Sequence, residues 1–538
     1  MNSDEILQFC MRKGLLLDRE VLNILSEATD VESAKILLER IKTLMSKRVI
    51  TKNVFTENKT KVEEILIGLP GRNQQNFERL RIKLGLTIEL EKEISGEKVS
   101  EDSKGVFEII PSEEKETSSL ELGKLLPEGM RVLSMPPSVS KKLEVPDFVK
   151  YFRGRFSEMK NIIQEHSELD GLTSINKIAG DRQNFSIIGV VSEKRMTKNK
   201  NMILNVEDST GSMKVLVNAN KPELLEQAEE IALDAVIGFK GVGNKEILFA
   251  NEVVFPDARL AERKRAPFEE YALFIGDLHF GSKRFLKKEF LRFIDYLNGK
   301  VPNTPEVDKI KYLFIVGDIV TGVGNYPDQE KDLEIMDLEE QYSSLAEILG
   351  KIRREINIII CPGNHDGVRL MEPQPLIDEK YAWPLYNLKN VFLVGNPSNV
   401  KIAEKEGFSG FEILLYHGFS LVHYANNVLR LMLMRAMNSP EEIMKYLLKH
   451  RHLAPTHASV QYFPSEKDGL LIRTVPDIFV AAHTHKSAVS YYNNILLIST
   501  SCWESMTPYQ EKFGNTPDHC KVPILNLKTG AVRILDFE

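Results

Sequence analysis

"CPGNHDGVRL" (361–370) follows the apolar run "INIII" (356–360) and sets an amide, an imidazole and a carboxylate side by side as Asn364, His365 and Asp366. Pro362, Gly363 and Gly367 supply turn chemistry, so a tight turn explains the backbone. It leaves the three polar side chains unexplained. A metal site would explain them, provided matching ligands stand behind other apolar runs. Histidine directs the search: ten of the eleven lie between His279 and His519, and only His166 precedes them.

The partners are present. Short β-rich runs in the C-terminal half end in potential ligands: "FIGDLHFGS" in Asp277 and His279, "FIVGD" in Asp318, "CPGNHD" in Asn364, "LLYHG" in His417 and "AAHTH" in His483 and His485. Alternate residues of an extended segment point the same way, so Asp277 with His279, and His483 with His485, are expected to reach one site. Two Asp, one Asn and four His form an oxygen and nitrogen set without sulfur, suited to Mn²⁺, Mg²⁺, Fe or Zn²⁺. Seven such ligands with one shared carboxylate fill two adjacent cations. A pair of that kind binds a phosphate oxygen, acidifies a water and favours in-line displacement. Each element alone is compatible with a turn or with surface histidines; five in order, each behind its own apolar run, argue for a site.

At 538 residues the chain exceeds what one core supports. Its 42% hydrophobic and 27% charged content is that of an ordinary globular protein. No apolar run approaches a membrane span, and "MNSDEILQFC" is not a secretory signal. Four scattered cysteines suggest reduced thiols and a cytoplasmic setting rather than a disulfide framework. A net charge of −7 argues against a globally basic nucleic-acid binder and leaves room for a local basic patch.

The expected architecture is multidomain α+β. Residues 1–70 read as a helical N-terminal module, 71–144 as a largely flexible linker, 145–262 as a helix plus a small β-barrel, and 263–538 as a layered α/β domain. Within the linker, "MRVLSM" is apolar enough to dock on a partner. Period-two alternation through "FSIIGVVSEKRMTKNKNMILNVEDSTGSMKVLVN" (185–218) suits a closed barrel of oligonucleotide-binding (OB) type. Its basic tip "EKRMTKNKN" (193–201) fits either phosphate contacts or a solvated hairpin.

The order D-x-H, GD, GNHD, H, HxH resembles the calcineurin-like metallophosphoesterase superfamily. That resemblance implies one metal held by Asp277, His279, Asp318 and His485, and a second held by Asp318, Asn364, His417 and His483. It also implies that His365 contacts the scissile phosphate and protonates the leaving oxygen, with Asp366 orienting it. Ala482 stands where the superfamily usually has Gly, and Thr321 where many members carry an acidic residue. Over most of its length the chain is similar to the polymerase B-subunit family, in its branch of archaeal family-D small subunits. "GDIVTGVGNYPDQ" (317–329) and "RHLAPTHAS" (451–459) carry that similarity. It implies a proofreading 3′→5′ exonuclease, two divalent ions with Mn²⁺ foremost, a large catalytic subunit as heterodimer partner, DNA with single-stranded or mismatched 3′ ends as substrate, and a nucleoid-associated setting with a sliding clamp. An idle scaffold and a phosphatase of the same superfamily are the rival readings. Among further residues, Arg451, His452 and His457 read as structural before DNA-binding, His423 as a neighbour of His417, and Trp503 and Tyr509 as a capping loop or a base-stacking pair.

Overall fold

The computed structural model describes residues 125–138 and 142–538, together with 2–13 and scattered positions between 15 and 50. The chain divides into two compact units, 1–110 and 111–538. In the first, helix Asn2–Lys13 buries Ile6 and Cys10, and strands β1 (Leu16–Leu17) and β2 (Val49–Ile50) pair in parallel. That strand pair was not foreseen in a module read as purely helical. Of the linker expected over 71–144, residues 71–124 lie outside the described residues.

The second unit carries a barrel and a two-sheet sandwich. Strands β4 (Gln183–Met196), β5 (Met202–Asp208), β6 (Gly211–Val217), β7 (Val236–Gly243) and β8 (Ile247–Val254) close in the order β4-β5-β6-β8-β7, with β6 and β8 parallel. Alternation decides which side chains go in: Leu204 and Val206 of β5 and Val215 and Val217 of β6 fill the interior. Helix Val145–Gln164 packs outside, through Met159 and Ile163, on Ile188 and Val236.

One sheet of the sandwich runs β12 (Val391–Leu393), β11 (Asn357–Cys361), β10 (Ile310–Val316), β9 (Tyr271–Gly276), β18 (Lys521–Asn526), β19 (Val532–Asp536). The other runs β16 (Ala488–Tyr492), β17 (Ile495–Ser499), β15 (Ile478–Ala481), β14 (Phe411–Tyr416), β13 (Ser398–Ile402), β3 (Arg131–Ser134). The central strands read as unbroken apolar runs because both faces are covered. In β10, Leu313 and Ile315 join helices Lys287–Leu297 and Leu338–Leu349 in one core, while Phe314 and Val316 meet Ile413, Leu415 and Val480 of the second sheet in another.

The linker expectation over 71–144 fails at its end. "RVLS" is the edge strand β3, antiparallel to β13, with Val132 buried in the core between the sheets. Its apolar residue completes this chain's own sheet and is not a free docking patch.

Candidate metal centre

Parallel register brings the five ligand-bearing runs level. Val316, the last residue of β10, pairs with Gly276 at the end of β9 and Cys361 at the end of β11. In the second sheet Tyr416, ending β14, pairs with Ala481, ending β15. Backbone bonds continue past the strand ends, from Asp277 N to Gly317 O at 3.0 Å, Gly317 N to Cys361 O at 2.9 Å and Ala482 N to His417 O at 2.9 Å. All five loops therefore emerge at one end of the sandwich, outside the carboxyl ends of its parallel strands.

The expected alternation does not operate there. Asp277, His279, Asp318, His483 and His485 are not extended; their φ values are +48°, +47°, +47°, +68° and +57°. Left-handed backbone at five non-glycine residues is strain of order 1–3 kcal/mol each, held by the surrounding bonds. His279 N donates to Asp318 O (2.9 Å), His483 N to Asp277 Oδ2 (2.9 Å) and His365 N to Asp318 Oδ1 (2.8 Å). The paired side chains do converge, by curling of the chain rather than by strand geometry.

Two groups of donors result among the expected ligands, and His365 forms a third with His279 and Asp318. Ligand atoms of Asp277, His279 and His485 lie within 4.8 Å of one another, as do those of Asp318, His417 and His483. His279 Nε2 faces His485 Nε2 at 3.2 Å, and His417 Nε2 faces His483 Nδ1 at 3.1 Å and Asn364 Oδ1 at 3.0 Å. Asp318 Oδ2 stands between the groups, 3.3 Å from His417 Nε2 and 3.9 Å from His279 Nε2. All seven residues singled out in the sequence are thus gathered at one place.

The electrostatics suit bound cations. Burial, with His365 adding to it, lowers His279 to about 3, and burial also carries His483 and His485 well below the usual imidazole range. Burial drives Asp277 well above the ordinary carboxylate value, whereas at Asp318 the surrounding His417, His365 and His279 overcome burial and hold it well below. Asp277 Oδ1 is buried with no hydrogen-bond partner, 3.7 Å from His485 Nε2. His417 is the exception: against burial, the Asp318 carboxylate raises it to about 9. Imidazoles turned nitrogen to nitrogen, with an orphaned carboxylate oxygen among them, form a donor set that fits divalent metal and lacks a better explanation.

His365 sits against this set, its ring edge-on to His279 with centroids 4.9 Å apart. Its expected partnership with Asp366 is corrected by the structure. Asp366 is fully buried and accepts from Val320 N (3.0 Å) and Gly363 N (2.7 Å), tying the turn after β10 to the turn after β11. The His365 Nδ1 atom lies instead 2.8 Å from the Thr321 carbonyl oxygen. Trp503 cannot stack on a base, because it is wholly buried against Phe290 and Phe293; the Tyr509 side chain lies outside the described residues. Arg451 donates to the Ile472 carbonyl, and His452 Nε2 bonds Asp468 Oδ2 at 2.9 Å, so both are structural. His423 packs on Tyr424. In the barrel's basic tip, Lys194 is spent on the carbonyls of Glu229 and Ile231, at the end of helix Pro222–Glu230. Sequence reasoning missed Phe419, whose ring lies 5.4 Å from that of His483; a lone aromatic after "YHG" carries no signal of its own.

The fold and this donor set define a phosphoesterase domain of the calcineurin-like class, and a family model described as calcineurin-like phosphoesterase matches residues 272–487. Relatives reach much further along the chain. The DNA polymerase II small subunit of Methanothermobacter thermautotrophicus is 36% identical over 73% of this chain and 80% of its own. Those of Pyrococcus furiosus and Pyrococcus abyssi are 35% and 36% identical, each over 75% of this chain and 66% of their own length. The chain belongs to the DNA polymerase II small-subunit family.

Proposed function

We propose that the chain is a metal-dependent 3′→5′ exodeoxyribonuclease that proofreads as the small subunit of a heterodimeric DNA polymerase. Asp277, His279, Asp318 and His485 would hold one divalent cation, and Asp318, Asn364, His417 and His483 the second. Manganese is the first choice, and magnesium, iron or zinc are the others such a set accepts. When bound, the pair supplies positive charge to the phosphoryl oxygens and makes water a stronger acid. The chain's own groups do the rest. His365 presents a ring nitrogen to the leaving 3′ oxygen and delivers a proton to it. Asp366, by bridging the two turns, holds Asp318 and His365 in register.

The observation that carries this reading is the Asp318 carboxylate, shared between two histidine groups at 3.3 and 3.9 Å. Membership of a family named for a polymerase small subunit supports a large catalytic subunit as partner, DNA 3′ ends as substrate, and a cytoplasmic, nucleoid-associated setting with a sliding clamp. The closed five-stranded order of the barrel supports an OB-type module. We place its domain, with the preceding helix, at 145–262 and the phosphoesterase domain at 263–538.

Digestion of end-labelled single-stranded and mismatched DNA with manganese, with and without the large subunit, tests the proposal. Mononucleotide release is expected, and Asp318→Ala or His365→Ala should reduce it at least about a hundredfold while the complex with the large subunit survives. Wild-type rates in both variants would sink it. A complex stabilised without any nuclease would favour the idle scaffold, and faster turnover of a phosphomonoester than of an oligonucleotide would favour the phosphatase.

A further inference from the structure

We infer that Asn325 is a positioning residue for His365, acting through the backbone carbonyl of Thr321; the inference rests on the reading of His365 as the proton donor. The segment 321–329 is mostly exposed, yet it is pinned at both ends by buried glutamines. Gln329 Oε1 accepts from Asn325 N (2.8 Å) while its Nε2 donates to Thr321 O (2.9 Å). Gln341 Oε1 accepts from Gly322 N (3.0 Å) and its Nε2 donates to Ile335 O (2.7 Å). In between, Asn325 turns its side chain back, and its Nδ2 donates to Thr321 O at 3.1 Å and lies 3.1 Å from His365 Nδ1.

The geometry determines the imidazole's tautomer. A carbonyl oxygen only accepts, so the 2.8 Å approach of His365 Nδ1 to Thr321 O requires the hydrogen on Nδ1, and the Asn325 amide 3.1 Å from that nitrogen is a second donor to the same carbonyl rather than a partner of the ring. Nε2 is then the nitrogen left to face the donor set; it is bare in this tautomer, and takes up a proton from solvent to form the imidazolium that gives that proton to the leaving oxygen. His365 shares a group with His279 and Asp318, their ligand atoms within 4.8 Å of one another. The Thr321 carbonyl receives amide hydrogens from Gln329 and Asn325 besides the imidazole, and these keep it aimed at the ring. Gly322 is required for the fold-back, since a Cβ there would strike both the Asn325 amide and the His365 carbonyl. A backbone carbonyl held by two amides thus stands where a carboxylate from Asp366 had been expected to orient the ring.

The test is Asn325→Ala in the full chain, whose exposed loop position leaves the core untouched. Two substrates separate positioning from bulk damage: an oligonucleotide, whose alkoxide leaving group needs a proton, and bis(p-nitrophenyl) phosphate, whose leaving group does not. With manganese present, kcat on the oligonucleotide should fall about ten- to a hundredfold with KM little changed, and kcat on the nitrophenyl ester less than about threefold. In parallel, ¹⁵N spectra of metal-free, histidine-labelled protein, with His365 assigned through His365→Gln, should show hydrogen on Nδ1 in the wild type and a tautomer mixture in Asn325→Ala. Equal losses on both substrates, no loss on either, or a wild-type ring carrying its hydrogen on Nε2 would overturn the inference. If the wild type leaves DNA intact while the tautomer shifts as described, the positioning holds and the nuclease reading fails.

Discussion

Gly317 has φ at +74°, and a Cβ built on it would overlap the His417 imidazole at Nδ1. Gly363 is similarly confined, its missing Cβ occupying the space of Asp318 Oδ1. The glycines of "GD" and "GNHD" are therefore not only turn formers; they let a histidine and a carboxylate lie directly on backbone. Gly317→Ala should displace His417, lower manganese stoichiometry by one ion in metal analysis, and cost about 1–3 kcal/mol in urea denaturation from overpacking and left-handed strain. Unchanged metal content would show that His417 has room to move. Two further histidines titrate out of sight of the site. His450 bonds the Tyr446 carbonyl through Nδ1 and accepts from Ala232 N through Nε2; His452 accepts from Ala454 N and bonds Asp468. Each is thus fixed as a neutral tautomer. Burial, helped at His452 by Arg155, lowers both to about 4. The folded value lies below the unfolded one, so their stabilising effect is complete above about pH 6.5 and is lost as pH falls toward 4, up to about 3 kcal/mol for each. Denaturation midpoints should drop across that window, and His452→Gln should flatten the slope.

Among the elements, helix Val145–Gln164 is held to the phosphoesterase part by a buried charge cluster. Arg155 pairs with Asp468, Tyr151 donates its hydroxyl to the same carboxylate at 2.6 Å, and His452 completes it. Arg155 and its neighbours hold Asp468 well below the usual carboxylate range against the pull of burial. Removing one member strands the others without water. Asp468→Ala should therefore cost about 3–5 kcal/mol, far more than loss of the exposed pair that Lys150 of the same helix makes with Glu466, which should cost under about 1 kcal/mol. Chemical denaturation of the two variants checks the contrast; equal effects would mean that water reaches Asp468. Loop 321–329 is the opposite kind of element, exposed outside and hydrogen-bonded within, and its polar letters mark a family likeness without encoding the bonds of Asn325 and Gln329.

Over the whole second unit, the barrel is not an appendage. Its interior residues Ile237 and Phe239, and Ala228 and Ile231 of the adjoining helical segment, belong to one continuous core with Tyr424, Tyr446 and Leu447 of the helices over the second sheet. Residues 111–538 should consequently unfold in a single calorimetric transition, and two separated transitions would show that the barrel melts alone. No helix among the described residues is long and apolar enough to cross a membrane.

The sequence alone named the seven side chains that the structure gathers at one end of the sandwich. Metal chemistry restricts the residue types, and strands buried on both faces announce themselves as apolar runs with ligands at their ends. It also located the first three barrel strands, β4 to β6, because period-two alternation is a local property. Three things needed the tertiary structure. Whether Asp277 and His279 share a direction depends on left-handed backbone that no spacing encodes. The partner of His365 turned out to be a carbonyl, which every residue possesses and no letter distinguishes. And "RVLS", four residues embedded in polar text, became a strand only because β13 offered an open edge some 260 positions later. Local patterns specify what a segment can bury or bind; long-range contact decides what it meets.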